Sequence, residues 1–283
     1  MPSERVAVIG AGGKMGSRII ANLPHRGEYE LFCSEQGETG LARLRERGIE
    51  PLPSEQAVAR ADFVVLAVPD AGMRVATEAV LPHAPAGAVA ILLDPAAAAA
   101  GDVYLRDDLN YVVCHPCHPP LFGEQPTDEA RRDFFGGSAA LQDIVIALMQ
   151  GPEDVFAKAE ALCRAIFAPV KTAHRISVAQ MAFLEPTMAE VVAASAAVLM
   201  RDALEEAVKA GVPREAATAF MLGHVQIALA IVFGAISSPF SDAANIAIRW
   251  GTERVVRSDW RRVFEPDQVT AVIKEMLHPE QRI

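Results

Sequence analysis

The sequence has few cysteines and few aromatic residues, and its basic residues are outnumbered by its acidic ones. Its 283 residues include four cysteines, two tryptophans and three tyrosines. In a chain that is expected to be cytosolic and to lack a leader, four cysteines are typical of reduced thiols and not of a disulfide framework, so we predict that all four are reduced. The formal net charge of −10 argues against nucleic acid or an anionic membrane as a partner, because both require a basic surface.

Long hydrophobic runs are also missing. Residues 1–5 contain no apolar signal core, and the most apolar later stretch, residues 227–236, is too short to span a bilayer. We therefore predict a cytoplasmic protein without a membrane partner, in which residues 227–236 form a buried helix. The chain is 51% hydrophobic, enough for a large core, and its length favours two domains. Small molecules are the expected ligands.

The first half of the chain alternates between short apolar runs and helical patterns. Residues 5–9 form a run that ends in glycines, which is typical of a strand buried on both faces of a parallel sheet. Further strands are predicted over residues 29–34, 61–68, 88–93, 111–114 and 143–148, with a short one near Ile49. This alternation predicts an α/β fold with a doubly wound parallel sheet that ends near residue 150.

The second half of the chain has an almost wholly helical pattern. Helices are predicted over residues 153–167, 177–210, 214–235 and 265–276. We therefore predict two domains, over residues 1–150 and 151–283, of which the second is all-α.

The loop after the first predicted strand is rich in glycine. It runs Gly10-Ala11-Gly12-Gly13-Lys14-Met15-Gly16, a variant of the dinucleotide-binding fingerprint placed between a strand and a helix. In that motif Gly10 makes the tight turn, Gly12 leaves room for the pyrophosphate, and Gly16 lets the helix lie close to the sheet. A glycine-rich turn without a ligand is the alternative. The position favours a Rossmann domain over residues 1–150, with the whole run except Ala11 as cofactor-binding residues.

Glu35 ends the second predicted strand, where an acidic side chain binds the ribose hydroxyls of NAD and repels the 2′-phosphate of NADP. NAD is therefore the predicted cofactor. Three arginines on the next predicted helix could instead accommodate a 2′-phosphate, or could form a solvated face; they are Arg43, Arg45 and Arg47. The turn Val68-Pro69-Asp70 follows another strand and is predicted to line the cofactor site, with a plain strand end as the alternative.

Two histidines follow the strand predicted over residues 111–114, in the segment His115-Pro116-Cys117-His118-Pro119-Pro120. Ligands of open α/β sheets bind at this carboxyl edge of the strands. The histidines, with Cys117, could bind zinc, or one imidazole could act as a general base. A hydrogen-bonded loop histidine and a packed thiol are the alternatives. The prolines stiffen the segment, which favours His115 as a catalytic residue.

The second domain has two carboxylates near a proline that must break or kink its helix, Pro186. Glu185 has apolar neighbours, and a buried carboxylate there needs a partner such as a metal or a cationic group of a substrate. We take Glu185 and Glu190 as catalytic candidates, with an exposed helix face as the alternative for Glu190. His224 is either a hydrogen-bonded core histidine or a ligand.

Over nearly the whole chain these segments resemble the 6-phosphogluconate dehydrogenase-like oxidoreductases, and among them the bacterial D-apionate oxidoisomerases. The glycine loop and the 67–70 turn are general to Rossmann dehydrogenases. More specific are His115-Pro116-Cys117-His118-Pro119-Pro120 and residues 132–137, 147–152, 184–186 and 222–224. The resemblance implies NAD-dependent oxidation of a branched sugar acid, D-apionate, with rearrangement to 3-oxo-isoapionate. It also implies a divalent metal, zinc or another, bound by His115 and Glu185, and a homodimer formed through the helical domain.

One departure from the decarboxylating members of that group concerns lysine. Those enzymes carry a lysine as general acid or base on the long helix of the second domain, but this chain has none between Glu185 and Glu190. Acid–base chemistry by lysine is therefore not expected here. Three alternatives remain: an NAD-dependent 3-hydroxyacid dehydrogenase without metal and with His115 as base, a non-catalytic NAD sensor, and a dimeric scaffold with a vestigial site.

Overall fold

A seven-stranded sheet forms the centre of the protein in the computed structural model, which describes residues 4–23 and 27–279. Residues 1–3, part of the segment predicted to lack a signal core, lie outside that range. The strands are β1 (Glu4–Ile9), β2 (Tyr29–Ser34), β3 (Phe63–Leu66), β4 (Val89–Leu92), β5 (Asn110–Pro116), β6 (Gln142–Gln150) and β7 (Val170–Arg175), in the order β2-β1-β3-β4-β5-β6-β7. All neighbours are parallel except β5 and β6. The predicted α/β class is confirmed.

Helices connect the strands of this sheet, and the longer ones bury apolar residues in its core. They are α1 (Lys14–Asn22), α2 (Glu38–Glu46), α3 (Ser54–Val58), α4 (Met73–Val80), α5 (Pro95–Ala100), α6 (Asp128–Arg132), α7 (Glu153–Ile166) and α8 (Val178–Ala182). In α1 the buried residues include Ile19 and Ile20, and α7 buries Leu162 and Ile166 in the same core cluster. All residues of β3 and β4 are buried, which explains their uninterrupted apolar runs.

The chain divides into two compact units. The first extends to Ala182 and resumes at Thr270, and the second is Phe183–Val269. The second unit contains a π-helix (Phe183–Ala194), α9 (Ser195–Lys209), α10 (Arg214–Val232), α11 (Asp242–Val255) and the start of α12 (Pro266–Leu277). Residue 150, the predicted domain boundary, is the last residue of β6 and lies inside the first unit.

Two sequence-based strand predictions were wrong. The sheet continues beyond residue 150, because Val170–Arg175 pairs parallel with β6 as its edge strand. Only two of its six residues, Val170 and Ala173, are apolar and its last two are exposed, so it lacks the apolar run that marked the other strands. No strand forms at Ile49 in the described chain; the segment there is irregular and leads into Pro51 and Pro53.

The apolar stretch of α10 is exposed in the single chain, so the prediction of a buried helix over residues 227–236 was wrong. Val232 is 64% exposed and Phe233 74%. By length and composition, Val178–Lys209 and Arg214–Val232 could each cross a membrane. Those two properties do not separate a membrane span from a helix that packs against another protein.

Candidate active site

A tight glycine turn joins β1 to α1. Gly10 has a φ of +80°, and the N–H groups of Gly10 and Ala11 both donate to the carbonyl oxygen of Ser34 at 3.0 Å. Helix α1 begins at Lys14, and no side chain of the described residues caps it at Gly13. Its first N–H groups therefore point out of the turn as an anion-binding end of the helix.

Two of the glycines allow backbone segments to pack closely. A Cβ atom added to Gly12 would lie 2.3 Å from the carbonyl oxygen of Gly40, and one added to Gly16 would lie 2.2 Å from that of Gly10. Gly13 has more room, with the nearest atom 3.2 Å away. The sequence analysis attributed the glycine at position 12 to the space that a pyrophosphate needs. The structure shows a second reason, because α2 packs directly against Gly12.

A cavity of about 440 Å³, here called the glutamate cavity, lies on one side of this turn and is lined by Gly10, Glu35, Ser54, Val68 and residues of α4. Glu35 Oε2 accepts a hydrogen bond from Gly12 N at 3.0 Å. Its Oε1 accepts from Gln36 N at 2.8 Å and from Gly37 N at 2.9 Å. The carboxylate is thus fixed in the cavity wall, where it disfavours a second negative charge.

The arginines of α2 contact the glycine turn and α1. Arg43 donates from Nη1 to the carbonyl oxygen of Gly12 at 3.1 Å, and Arg47 donates to that of Ser17 at 3.0 Å. All three arginines are nevertheless exposed, as the alternative of a solvated face expected.

A second cavity of about 370 Å³, here called the histidine cavity, lies on the other side of the turn. It is lined by Gly13, Lys14, Met15, Val68, Pro69, Asp70, Asp94, His115, His118 and Phe135, among others. The structure therefore brings most of the predicted cofactor residues together with His115. Val68 lines both cavities, so the two are neighbours at this residue.

Hydrogen bonding fixes the proton position on His115. Its Nδ1 lies 2.9 Å from the carbonyl oxygen of Leu93. Because a carbonyl only accepts, Nδ1 carries the proton in the neutral ring and Nε2 carries the lone pair. Asp94 Oδ2 lies 3.9 Å from Nδ1, while its Oδ1 accepts from Ala96 N at 3.0 Å and caps α5. The Asp94 carboxylate is therefore placed to stabilise a positive charge on the His115 ring.

His118 is held in a strained conformation in the same cavity. Its φ of +60° is the only positive value at a non-glycine residue in the described chain. Its Nδ1 lies 2.8 Å from the carbonyl oxygen of Phe135, and its ring centroid is 4.8 Å from that of the Phe135 ring. The His115 and His118 rings are perpendicular, with centroids 6.3 Å apart. Backbone strain of this kind is typical of functional sites.

Asp133 shapes the loop that carries Phe135. Its carboxylate accepts from Gly136 N and Ala139 N at 2.9 Å and from Ala140 N at 3.2 Å. Burial raises the pKa of Asp133, but these backbone donors outweigh it and lower the pKa overall. The Phe135 ring is contacted by the Lys14 Nζ at 4.0 Å from its centroid.

The cysteines do not line either cavity. Burial, followed by the charge of Asp143, raises the pKa of Cys117 to about 11. Burial also raises the pKa of Cys114, whose thiol contacts Cys163. All four cysteines have free thiols. Among the described residues no group of three His, Cys, Asp or Glu side chains could hold a metal, so the prediction that Cys117 joins the histidines in a zinc site gains no support.

The remaining predicted residues lie in the second unit. Glu185 is half-buried and precedes the buried Pro186, and the predicted break at this proline takes the form of the π-helix, a structure frequent at functional sites. Glu190 is exposed on the same helix. His224 is exposed on α10, with Nδ1 2.8 Å from the carbonyl oxygen of Phe220 and its ring stacked on the Phe220 ring. The interpretation of His224 as a core histidine was wrong.

The sequence analysis assigned no role to two residues of the histidine cavity, although one of them, Phe135, lies in the 132–137 segment of the resemblance. Asp94 follows the end of β4, and the rule that selected His115, namely position at the carboxyl edge of the sheet, would have found it. Phe135 lies in a loop between α6 and β6 and reaches the cavity only through the turn that Asp133 shapes. No periodicity or spacing in the sequence indicates that contact.

Two protein families match this chain. Residues 123–277 match the family described as Phosphogluconate dehydrogenase (decarboxylating) C-term. Residues 5–97 match the family described as NADP oxidoreductase coenzyme F420-dependent. The first match includes the helical second unit, and the second match includes the glycine turn and the first strands of the sheet.

Curated relatives and a solved structure match along the whole chain. The D-apionate oxidoisomerase of Cupriavidus necator is 43% identical over 274 residues, which cover 96% of this chain and 99% of the relative. That of Blautia hydrogenotrophica is 42% identical over 279 residues, covering 98% and 97%. A semialdehyde dehydrogenase NAD-binding protein from Cupriavidus necator, solved in complex with calcium and NAD, is 43% identical with a TM-score of 0.93, covering 97% of this chain and 99% of that chain.

Proposed function

Since this chain belongs to the D-apionate oxidoisomerases, we propose that it oxidises D-apionate with NAD and rearranges the product to 3-oxo-isoapionate. The chain is an NAD-dependent oxidoreductase; the substrate and the rearrangement are the proposed part. The observation that carries the proposal is the histidine cavity, in which His115 and His118 lie beside the glycine turn at the carboxyl edge of the sheet.

The two cavities suit the two halves of NAD. We propose that the N-terminus of α1 binds the pyrophosphate, while the glutamate cavity takes the adenosine and the Val68-Pro69-Asp70 turn contacts the nicotinamide ribose. When bound, NAD supplies the hydride acceptor. The fixed carboxylate of Glu35 repels a 2′-phosphate, which favours NAD over NADP.

The reaction requires two proton transfers, for which the cavity supplies two imidazoles. Oxidation takes a hydride from a carbinol carbon and a proton from its hydroxyl. The rearrangement moves a carbon substituent onto the new carbonyl carbon, while a neighbouring hydroxyl loses a proton and the former carbonyl oxygen gains one. We assign the first proton to Nε2 of His115, with Asp94 stabilising the imidazolium, and the second transfer to His118, 6.3 Å away between ring centroids.

The residues of the second unit and the metal are assigned as proposals. Glu185 and Glu190, which both lie in the π-helix, are the proposed catalytic carboxylates. His115 and Glu185 as a metal-binding pair leave most of the coordination of a divalent ion to water or substrate, since the described residues contain no group of three candidate ligands. The proton transfers assigned to His115 and His118 do not depend on a metal.

We propose a cytoplasmic protein that forms a homodimer through the exposed apolar helices of its second unit. Phe220 and Val232 on α10 and Trp250 on α11 are each more than 60% exposed in the single chain. Monomeric soluble proteins seldom leave a large apolar surface of this kind uncovered. We expect a particle of twice the chain mass, stable at micromolar concentration without detergent. Sedimentation of the purified protein measures this directly, and a monomer, or a protein that requires detergent, would contradict the proposal.

Turnover of D-apionate is the decisive test. With NAD and D-apionate we expect NADH to form and carbon NMR to identify 3-oxo-isoapionate as the product, while NADP in place of NAD gives much slower reduction. A linear four-carbon aldonate is the matched control substrate. Parallel assays with EDTA and with added calcium, magnesium or zinc measure metal dependence. NADH formation with an unrearranged keto acid as product would instead identify a plain 3-hydroxyacid dehydrogenase.

A further inference from the structure

We propose that the side chain of Lys14 binds the carboxylate of the substrate and so makes the histidine cavity selective for hydroxy acids over neutral polyols. This inference rests on the proposed function, because it concerns how the same cavity selects its substrate. The new element is that Lys14 recognises the anionic group of the substrate. The sequence assigned Lys14 to the cofactor, along with the rest of the glycine turn.

The position of Lys14 supports a contact with the substrate. Lys14 begins α1 and lines the histidine cavity together with His115 and His118, and its Nζ lies over the ring of Phe135, another lining residue. Lys14 is the only lysine or arginine among the described residues that line this cavity. A carboxylate bound beside Lys14 would place the neighbouring hydroxyl-bearing carbons of the same small molecule near the two imidazoles.

The charges of the cavity make such a cation necessary. The protein has a net charge of −10, and two carboxylates, Asp70 and Asp94, also line the cavity. An anionic substrate entering this field is repelled unless a local cation compensates. The two histidines do not supply that charge in their neutral forms. Arg18 also contacts the Phe135 ring, at 3.7 Å from its centroid, but it does not line the cavity, so Lys14 is the cation that does.

Lys14 is also not committed to a protein carboxylate. Arginines elsewhere, such as Arg5 with Asp62 and Arg106 with Asp108, form close ion pairs. Lys14 forms none with the carboxylates of the described chain, and its ammonium group lies over the Phe135 ring, 4.0 Å from the centroid. An aromatic face orients a cation without neutralising it, so the charge remains for a ligand.

The opposing possibility is that Lys14 binds the pyrophosphate of NAD from the end of the glycine turn. The two roles differ in which affinity depends on the lysine. A residue that binds the pyrophosphate raises the dissociation constant of NADH when it is removed. A residue that binds the substrate carboxylate raises KM for the acid, and leaves the affinity for NADH and for a neutral analogue almost unchanged.

The test compares Lys14→Met with wild type and with Lys14→Arg. For Lys14→Met we expect KM for D-apionate to rise about 10- to 100-fold, as loss of one charge-assisted hydrogen bond does, with the NADH dissociation constant within about twofold. Lys14→Arg keeps the charge and should recover most of the affinity. Lys158→Met, which removes a lysine of α7 outside both cavities, is the control and should behave as wild type.

A neutral analogue makes the test specific for the carboxylate. The branched pentitol in which CH₂OH replaces the carboxylate should inhibit wild type more weakly than the acid, and Lys14→Met should remove that difference. An unchanged ratio, or a rise in the NADH dissociation constant equal to the rise in KM, would overturn the inference. If the wild-type protein does not turn over D-apionate, the proposed function is wrong, but the role of Lys14 can still be tested. Calorimetry then compares the binding of glycerate and of glycerol to the NADH complexes of wild type and Lys14→Met.

Discussion

Replacing His115 with alanine is expected to reduce kcat for the NAD-dependent reaction by at least about a thousandfold, a loss in the usual range for a general base. NADH should still bind with a dissociation constant within about twofold of wild type. The expectation follows from the bond between Nδ1 and the Leu93 carbonyl oxygen, at 2.9 Å, which leaves the basic lone pair on Nε2. Steady-state assays and NADH fluorescence titration measure the two quantities.

Two further variants separate chemistry from support of the cavity. The amide of His115→Asn can replace the Nδ1–H donor to Leu93 but has nothing at the position of Nε2, so it should preserve thermal stability and remain inactive. His83→Ala removes an exposed histidine outside both cavities and should retain full activity. Activity of His115→Asn near that of wild type would show that the imidazole supports the loop and does not take the proton.

Burial explains which strands could be predicted from the sequence. The residues of β3 and β4 are all buried, so selection for apolar side chains leaves an uninterrupted run that a short window detects. Strand β7 lies at the sheet edge with exposed polar residues, and only its pairing with β6 makes it a strand. The sequence pattern is therefore informative where a strand keeps an apolar run, as β3 and β4 do, and uninformative where polar residues dominate, as in β7.

The same distinction applies to the candidate site. The glycine turn, the Val68-Pro69-Asp70 turn and His115 all follow strand ends, and a parallel sheet brings its carboxyl ends to one edge, so their proximity could be predicted. The contact of Phe135 with His118 and Lys14 depends on the hydrogen bonds of Asp133, which no local pattern encodes. The exposure of α10 could not be predicted, because the composition shows that a helix is apolar but not whether other parts of the protein bury it.

Substituting Gly12 with alanine is expected to damage both the fold and cofactor binding. The added Cβ would lie 2.3 Å from the carbonyl oxygen and 2.4 Å from the Cα of Gly40, both backbone atoms, so the turn and α2 must move apart. Overpacking of this kind costs about 1–3 kcal/mol, and each kcal/mol lowers Tm by roughly 2–4 °C. Since Gly12 N also donates to Glu35 at 3.0 Å, the same shift should weaken NADH binding at least about tenfold.

Gly13→Ala distinguishes the two consequences. Its Cβ would lie 3.2 Å from the Gly10 carbonyl oxygen, a tight contact but a much milder one than those at Gly12, and Gly13 precedes α1 on the wall of the histidine cavity. Thermal unfolding should then stay near wild type, so any loss of NADH affinity reports the pyrophosphate meeting the new methyl group. If Gly12→Ala unfolds at the wild-type temperature and binds NADH normally, then α2 does not constrain the turn, and a glycine at position 12 is not required for contact with Gly40.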